Sequence, residues 1–449
     1  MMKSRNYQKK LSMNKYLNYK ETDSDWVESI PSEWKFIRGR FLFKAKKELN
    51  SDLQCKNLLS LTLSGVLNKD FHSNDGLRPE NYSSYQIFQQ DDLVFKMIDL
   101  ENVNTSRVGL VPEEGIMSPV YLRHEPIKTK IDPKFAYWFY YDLYKKEIYN
   151  SIGSGVRSSL SSSDLLEIEL PVPPLKDQKL ISQYLDKKTE QIDHLVEKIQ
   201  KKINFLEEQR TSLISHYVTK GLDPNVEMKD SGIEWIGQIP NHWGVKKLKH
   251  FAKIYGRIGY RGYTVDDIVS EGKGAITLGP GNIKDNKLNL LQRTYISNKK
   301  YEESPEIQIF PEDIIFVKTG STIGKSCIVE DQLDKMTLNP QMVVLKDILI
   351  NNKFFFYQTI TQFFQNFFET EKAGGSTPTI SQEKIRDFPM LNVPVNEQEE
   401  ITNYLNLRIK KIEDLIILNE QKIMSINEYR QSLISSVVTG KVRVTKDMI

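Results

Sequence analysis

The chain has little cysteine and no long apolar run. Its two cysteines, Cys55 and Cys327, lie in different halves of the 449 residues, so no disulfide framework is implied and a reducing compartment suits them. No stretch approaches the ~18 apolar residues of a membrane span. Residues 1–20 are basic and polar, without the apolar core of a secretory signal. These absences predict a cytoplasmic protein that does not enter a membrane.

Recognisable catalytic motifs are also lacking. The six histidines are scattered, and none stands at metal-ligand spacing from a cysteine or from a second histidine. Residues 339–342 read Asn-Pro-Gln-Met, which lacks the second proline and the aromatic residue of an adenine-methylating Asn-Pro-Pro-Tyr motif, and no glycine-rich adenosylmethionine loop accompanies it. We therefore expect no catalytic residue, no metal site and no cofactor, in a protein that is not an enzyme.

Neither sign of charge is in large excess. Lysine and arginine total 62 against 59 aspartate and glutamate residues, and the formal net charge is +3. This small excess permits a nucleic-acid partner without indicating one, so any basic surface has to be local. At roughly 150 residues per domain, the length predicts two to four units.

The most informative feature that is present is an internal repeat. Residues 169–221 resemble residues 391–440, with paired positions at a constant offset of 220, and residues 26–34 match residues 235–243 more weakly. The paired positions include Pro174 and Pro394, Gln178 and Gln398, Tyr184 and Tyr404, and residues 210–215 and 430–435. The order is therefore globule, helix, globule, helix. Because the globules otherwise diverge, we expect one task performed on two different targets.

Both repeated segments predict long helices. Their apolar residues recur at spacings of three, four or seven, which is the pattern of a coiled-coil seam. Prolines precede each segment, and Gly221 and Gly440 follow where a glycine at a helix C-terminus belongs. Neither helix can bury its apolar stripe alone, so we expect the two to pair with each other.

The globular segments predict a mixture of strands and helices. Residues 91–96 and 312–318 have the pattern of strands reached through an acidic turn, and aromatic-rich helices begin at Phe135 and Phe354. These aromatic residues favour core packing over a base-stacking platform. Each globule is therefore expected to be a mixed α/β domain.

Residues 319–326 follow a predicted strand and look like a phosphate loop. That motif needs four residues between its first glycine and its Gly-Lys pair, whereas three separate Gly320 from Gly324. Three interpretations stay open: a nucleotide site, a loop whose amides, hydroxyls and lysine contact a DNA phosphate, and a structural turn. The candidate contacts are Lys318, Thr319, Ser321 and Lys325.

Further candidate DNA contacts lie in polar loops that combine basic side chains with hydroxyl or aromatic ones. Such side chains bind phosphates and guanine edges, although a surface ion pair explains Arg107 equally well. The candidates in the first globule are Lys96, Thr105, Ser106, Arg107 and Arg157. The candidates in the second globule are Arg257, Tyr260 and Arg261.

From about Trp26 to Val442 the chain resembles the specificity subunit of type I restriction–modification systems. The resemblance is carried by residues 174–221, 394–440, 231–240, 317–324 and 117–121. It implies an α+β protein in which two mixed α/β target-recognition domains are separated by two long antiparallel coiled-coil helices, with internal pseudo-twofold symmetry. The expected division is a basic tail at 1–22, recognition domains at 23–173 and 222–392, spacer helices at 174–221 and 393–440, and a C-terminal tail at 441–449.

The same resemblance implies a function. Each recognition domain would read one half of a bipartite, asymmetric site in double-stranded DNA. The subunit would recruit two methyltransferase subunits and two restriction subunits, which carry all of the chemistry. The alternatives are a structural coiled-coil adaptor and a phosphate-loop nucleotide-binding protein.

Overall fold

The computed structural model describes residues 15–69, 82–100, 105–152, 159–257, 259–331, 334–371 and 378–449. The chain divides into two compact units. The first unit contains the residues up to Ile199 together with residues 421–449, and the second unit contains residues 200–420. Each unit therefore combines one globular segment with parts of both long helices.

The first unit is built on an antiparallel sheet. Its described strands are β1 (Tyr19–Ser24), β2 (Val27–Pro31), β3 (Lys35–Arg38), β4 (Phe43–Lys46), β5 (Leu59–Thr62), β6 (Gly65–Asn68), β7 (Gln86–Phe88), β8 (Leu93–Phe95), β9 (Val108–Leu110), β10 (Gly115–Met117), β11 (Leu122–Pro126) and β12 (Glu169–Val172). Its described helices are α1 (Pro133–Lys145), α2 (Ile148–Ile152), α3 (Ser162–Glu167) and the first part of α4 (Leu175–Lys220). The sheet has the strand order β4, β11, β8, β9, with each pair antiparallel. Strand β3 pairs with β12, which joins the start of the globule to the strand that leads into α4.

Aromatic side chains of α1 occupy the centre of the first core. Asp132 caps the helix by accepting a hydrogen bond from the Phe135 amide at 2.9 Å, and Pro133 stands in the first turn, so the helix begins where the sequence provides both signals. The buried Tyr140 ring meets Phe95 of β8 with the ring centroids 5.0 Å apart. The prediction that the aromatic residues of this helix serve the core is confirmed.

The second unit contains a similar antiparallel sheet and a second sheet beside it. Its described strands are β13 (Met228–Asp230), β14 (Gln238–Pro240), β15 (Gly244–Lys247), β16 (Lys253–Gly256), β17 (Ile268–Val269), β18 (Ala275–Leu278), β19 (Ile283–Lys284), β20 (Lys287–Leu288), β21 (Tyr295–Ile296), β22 (Ile314–Val317), β23 (Ser326–Ile328), β24 (Met336–Leu338), β25 (Met342–Lys346) and β26 (Pro389–Asn392). Its described helices are α5 (Asn298–Glu302), α6 (Asn352–Thr359), α7 (Gln362–Glu371), α8 (Gln382–Arg386) and the first part of α9 (Val395–Val438). The first sheet has the order β16, β25, β22, β23 and is antiparallel throughout. The second has the order β17, β21, β18, β24 and includes the parallel pair β18–β24.

Short 3-10 turns join these elements. They span Gly39–Phe41, Leu248–His250, Gly259–Arg261, Val265–Asp267, Pro280–Asn282, Pro305–Ile307 and Lys446–Met448.

The two long helices pack against each other inside each unit. In the second unit, Arg210 Nη1 lies 3.7 Å from Glu413 Oε1. Further along α4 and further back along α9, the Tyr404 hydroxyl donates to the Tyr217 hydroxyl at 3.1 Å. The helices are therefore antiparallel in this unit.

The first unit contains the counterpart of that ion pair. Arg430 Nε lies 3.3 Å from Asp193 Oδ1, at the equivalent positions of the repeat. The predicted apolar seam is nevertheless incomplete, because Leu195 and Leu415, which are equivalent in the repeat, remain 47% and 43% exposed. The spacing of apolar residues identifies the apolar stripe of each helix, but it does not show which helical turns of that stripe are buried.

A buried glutamine at the start of each long helix ties that helix to its globule. The Gln178 side chain accepts a hydrogen bond from the Asp132 amide at 2.6 Å and donates one to the Pro173 carbonyl at 2.8 Å. A buried amide that fills both roles holds two segments of backbone in one position. The second unit repeats the two bonds, at 3.0 and 2.7 Å, through Gln398, Asn351 and Val393.

A glycine with positive φ follows each long helix and packs on a tryptophan. Gly221, with φ of +75°, lies beside Trp243 in the second unit. Gly440, with φ of +77°, lies beside Pro31 and Trp34 in the first unit. Because glycine adopts this left-handed conformation without a Cβ penalty, it suits the end of a helix that must also approach a large ring. Each globule thus contacts the start of one long helix and the end of the other.

Candidate nucleic-acid interface

Polar residues of the second unit meet at one end of its antiparallel sheet. Strands β16 and β22 end at Gly256 and Val317, and β25 begins between them at Met342, so the residues just beyond these positions share an edge. Across this edge Lys318 donates its amide to the carbonyl of Gln341 at 2.8 Å. We call this surface the second-unit edge, and it consists of Arg257, Lys318, Thr319, Ser321, Lys325, Asn339 and Gln341.

Residues 318–325 form a hairpin loop between β22 and β23. The amides of Gly320 and Gly324 donate to the carbonyls of Pro378 and Val317, both at 2.9 Å. A phosphate loop presents free amides at the N-terminus of a helix. Here those two amides are bonded within the protein and a strand follows the loop. This segment therefore does not have the geometry of a phosphate loop, and the structure does not support its interpretation as a nucleotide site.

The second-unit edge carries two lysine side chains, Lys318 and Lys325. Lys325 is exposed and Lys318 is half-buried, and within the described ranges neither lysine forms an ion pair. The hydroxyls of Thr319 and Ser321 lie on the same loop. Burial lowers the pKa of Lys318, so a nearby anion would favour its charged form. Ammonium groups and hydroxyls placed in this way are suited to phosphate oxygens.

The other basic candidates of the second unit are placed differently. Arg257 is only 4% exposed, and its guanidinium donates to the Leu338 carbonyl at 2.9 Å and to the Thr337 hydroxyl at 3.1 Å. Its predicted role as a direct DNA contact is not supported, because the guanidinium is used to hold β24. Arg261 Nη1 lies 3.3 Å from Glu306 Oε1, so part of its charge is neutralised. The side chain of Tyr260 lies outside the described part of the chain.

The equivalent end of the sheet in the first unit is also basic. Lys96 follows β8, and its ammonium donates to the Thr105 hydroxyl at 3.2 Å. Lys47 follows β4 and is exposed. We call Lys47, Lys96 and Thr105 the first-unit edge. Lys47 was missed in the sequence because only the pairing of β4 and β8 with β11 brings it to the same edge as Lys96.

Two further candidates of the first unit are buried. Arg107 is 2% exposed, and its guanidinium donates to the carbonyls of Ile98 at 3.1 Å and Asp99 at 2.6 Å. The Ser106 hydroxyl donates to the Val108 carbonyl at 2.8 Å. Both side chains therefore fix the backbone beside Lys96, and their expected direct contact with DNA is not supported. Arg157, the remaining candidate, lies outside the described residues.

Among the residues that the structure describes, no group of three or more histidine, cysteine, aspartate or glutamate side chains is placed to hold a metal ion. In the same part of the chain, no helix has the length and apolar character needed to cross a bilayer.

Comparison with known families identifies the family of the chain. The family model described as the type I restriction modification DNA specificity domain matches residues 61–204 and 240–428, which is most of the chain. The chain belongs to the type I specificity subunit family. Specificity subunits recognise DNA and do not catalyse a reaction, so the predicted family and the prediction that this chain is not an enzyme are confirmed.

Similar specificity subunits extend over nearly the whole chain. The MjaVIII specificity subunit of Methanocaldococcus jannaschii is 25% identical over 431 residues, which cover 92% of this chain and 94% of that protein. The MjaX specificity subunit of the same organism is 22% identical over 461 residues, covering 97% and 99%. A solved chain from work described as the structural basis underlying complex assembly and conformational transition of the type I R-M system has a TM-score of 0.67. It covers 92% of this chain at 12% identity, which shows a shared fold.

Proposed function

We propose that this specificity subunit selects a bipartite, asymmetric site in double-stranded DNA, with one half read at each unit's edge. The observation that carries the proposal is a constant frame that holds two different edges. Gln178 and Gln398 make the same pair of hydrogen bonds in their two units. The edges they support differ, because the first offers Lys47, Lys96 and Thr105 whereas the second offers a hydroxyl-rich hairpin loop with two amide side chains beside it.

The charges of the edges support DNA as the ligand. Phosphate contacts give a protein its position on a duplex, and contacts to base edges give it sequence preference. Lys96, Lys318 and Lys325 are suited to the first role. The polar side chains between them are suited to the second. Of the predicted contacts we retain Lys96, Thr105, Lys318, Thr319, Ser321 and Lys325, and we add Lys47.

We retain the domain boundaries and the partner roles that were predicted from the sequence. Residues 23–173 and 222–392 would be the recognition domains, and residues 174–221 and 393–440 would be the spacer helices, related by a pseudo-twofold axis. Methylation and cleavage would be performed in the cytoplasm by two methyltransferase and two restriction subunits, since a specificity subunit does not supply catalysis.

Exchange of one recognition domain is the experiment that tests this function. Residues 222–392 are replaced by the equivalent segment of another family member, and the variant is produced with its methyltransferase partner in a host without adenine methylation. We expect one half of the methylated sequence to change and the other half to stay the same. Methylated positions are mapped by sequencing the host genome.

The reciprocal exchange of residues 23–173 is the matched control, and it should change the opposite half-site. If a single exchange altered both halves, the units would not read DNA independently. If neither exchange altered the methylated sequence, the chain would be an adaptor that assembles the complex without choosing its site.

Loss of a lysine at the second-unit edge should weaken DNA binding without changing sequence preference. For Lys325→Ala we expect lower affinity for all duplexes and a salt dependence that falls by about one unit of slope, because one phosphate contact is removed. The control is Lys253→Ala, at the opposite end of β16, where the ammonium is already paired with Asp347 at 2.8 Å. Binding of the assembled complex is measured by fluorescence anisotropy at several salt concentrations. An unchanged slope for Lys325→Ala would remove this lysine from the interface.

A further inference from the structure

The turn between β24 and β25 presents an oriented amide side chain at the second-unit edge. Asn339 Oδ1 accepts the Gln341 amide hydrogen at 2.9 Å, and Asn339 Nδ2 donates to Gln341 Oε1 at 3.3 Å. Both side chains are half-buried. Within the described residues, Nε2 of Gln341 has no hydrogen-bond partner. The Gln341 side chain is thus held by its oxygen, while its two N–H donors are available.

Three hydrogen bonds hold the backbone of this turn in place. The Asn339 amide donates to the Leu278 carbonyl at 2.9 Å, and the Gln341 carbonyl accepts from the Lys318 amide at 2.8 Å. Arg257 donates to the Leu338 carbonyl, just before the turn, at 2.9 Å. A side chain on such a fixed support loses little freedom when it binds, which favours selective recognition.

Two glycines leave space for the side chains of this turn. A Cβ at residue 279 would lie 2.7 Å from Asn339 Nδ2, so the glycine there leaves space for the amide that orients Gln341. A Cβ at residue 320 would lie 3.8 Å from Gln341 Nε2, so the hairpin loop runs close beside the same side chain. Lys318 and Lys325 lie on that loop. Gln341 therefore lies beside a loop that carries side chains suited to a phosphate backbone.

The hydrogen-bonding groups of the Gln341 amide match the major-groove edge of adenine. In the major groove adenine offers an acceptor at N7 and a donor at N6, and a glutamine amide bonds both at once. Nε2 supplies the donor, and Oε1 accepts one bond from Asn339 and keeps a second lone pair for N6. Thymine, guanine and cytosine do not offer this acceptor–donor pair on one base.

We propose that Gln341 reads an adenine in the half-site bound by the second unit, and that Asn339 is the residue that positions its amide. This inference rests on the proposed function and adds to it one base and the side chain that reads it. Arg257 supports the turn from inside the protein, so it affects recognition without touching DNA.

Two substitutions of Gln341 test the assignment in the assembled methyltransferase complex. The probes are duplexes that carry the mapped site with each position of the second-unit half-site varied in turn. For Gln341→Ala we expect discrimination to fall roughly 5- to 150-fold at one adenine position and to stay unchanged elsewhere, which is the range for loss of a bidentate base contact. For Gln341→Glu we expect preference at that position to move toward cytosine, whose N4 group donates to a carboxylate.

Two further variants distinguish a loss of base recognition from a loss of folding. Asn339→Ala should relax the same single position, and Gln292→Ala, an exposed glutamine of the same unit, should change none. Thermal unfolding of each variant shows that the unit is intact. The assignment is overturned if folded Gln341→Ala keeps the original preference at every position, or if it loses preference equally at all of them. The proposed function itself is tested separately by the domain exchange, and it fails if that exchange leaves both half-sites unchanged or alters both at once.

Discussion

Lengthening both long helices by one turn should add one or two base pairs to the spacer between the half-sites and leave both half-site sequences unchanged. Four residues extend a helix by about 6 Å, and one base pair of B-DNA occupies ~3.4 Å. We place the insertions between Ile199 and Gln200 and between Glu420 and Gln421, where the chain divides into its two units. Both helices must grow equally so that the ion pairs inside each unit stay in register.

The inserted residues should be good helix formers, so that neither helix is interrupted. A matched control carries the same four residues after Gly232, in an exposed turn of the second unit. This control lengthens the chain but not the helices, and its methylated site should equal that of the unaltered subunit. Methylated adenines are mapped across the genome for the unaltered subunit, the lengthened variant and the control. An active variant that keeps the original spacer would show that the helices do not set the distance.

Substitution of Gly440 should destabilise the first unit more than the same change at Gly221 destabilises the second. Both glycines have positive φ, and an alanine there costs about 1–2 kcal/mol. At residue 440 the new Cβ would also lie 2.6 Å from Pro31 Cγ and 3.1 Å from Trp34 Cη2. These neighbours are ring atoms that cannot rotate away, so we expect a total loss of about 2–5 kcal/mol for Gly440→Ala.

Gly221→Ala is the matched control, because its Cβ would approach Trp243 no closer than 3.3 Å. We expect it to cost about 1–2 kcal/mol, which is the backbone contribution alone. Urea unfolding followed by tryptophan fluorescence compares the two variants with the unaltered chain. Equal losses of unfolding free energy would mean that the packing on Pro31 and Trp34 adds nothing to the backbone cost.

The repeated frame could be predicted from the sequence because it depends on matched residues. Gln178 and Gln398 align in the repeat, and in the structure they make the same two bonds. The long helices likewise begin just after Pro174 and Pro394. A buried amide and a helix start both need particular residue types, so their repetition in the sequence carries structural information.

The interface could be predicted only in part. Lys318 is half-buried and Lys325 is exposed beside the sheet edge, where their contact with DNA stays a prediction, whereas Arg107 and Arg257 are buried because carbonyl groups converge on them. No local pattern distinguishes an arginine that will meet such carbonyls from one that will meet solvent. The role proposed for Gln341 has no local signal either, because residues 339–342 contain no pattern that indicates a base contact.

The packing of Gly440 on Trp34 also means that the two units are completed at different times during synthesis. All parts of the second unit have been made once residue 420 is added, whereas the first unit also needs residues 421–449. At ~5–20 residues per second, the roughly 220 residues between Ile199 and Gln421 take about 10–45 s to add. Throughout that interval the tryptophan surface of the first globule lacks its covering helix end. The unit that begins to leave the ribosome first is therefore the last to be completed, and the apolar surface it exposes meanwhile is of the kind that favours aggregation.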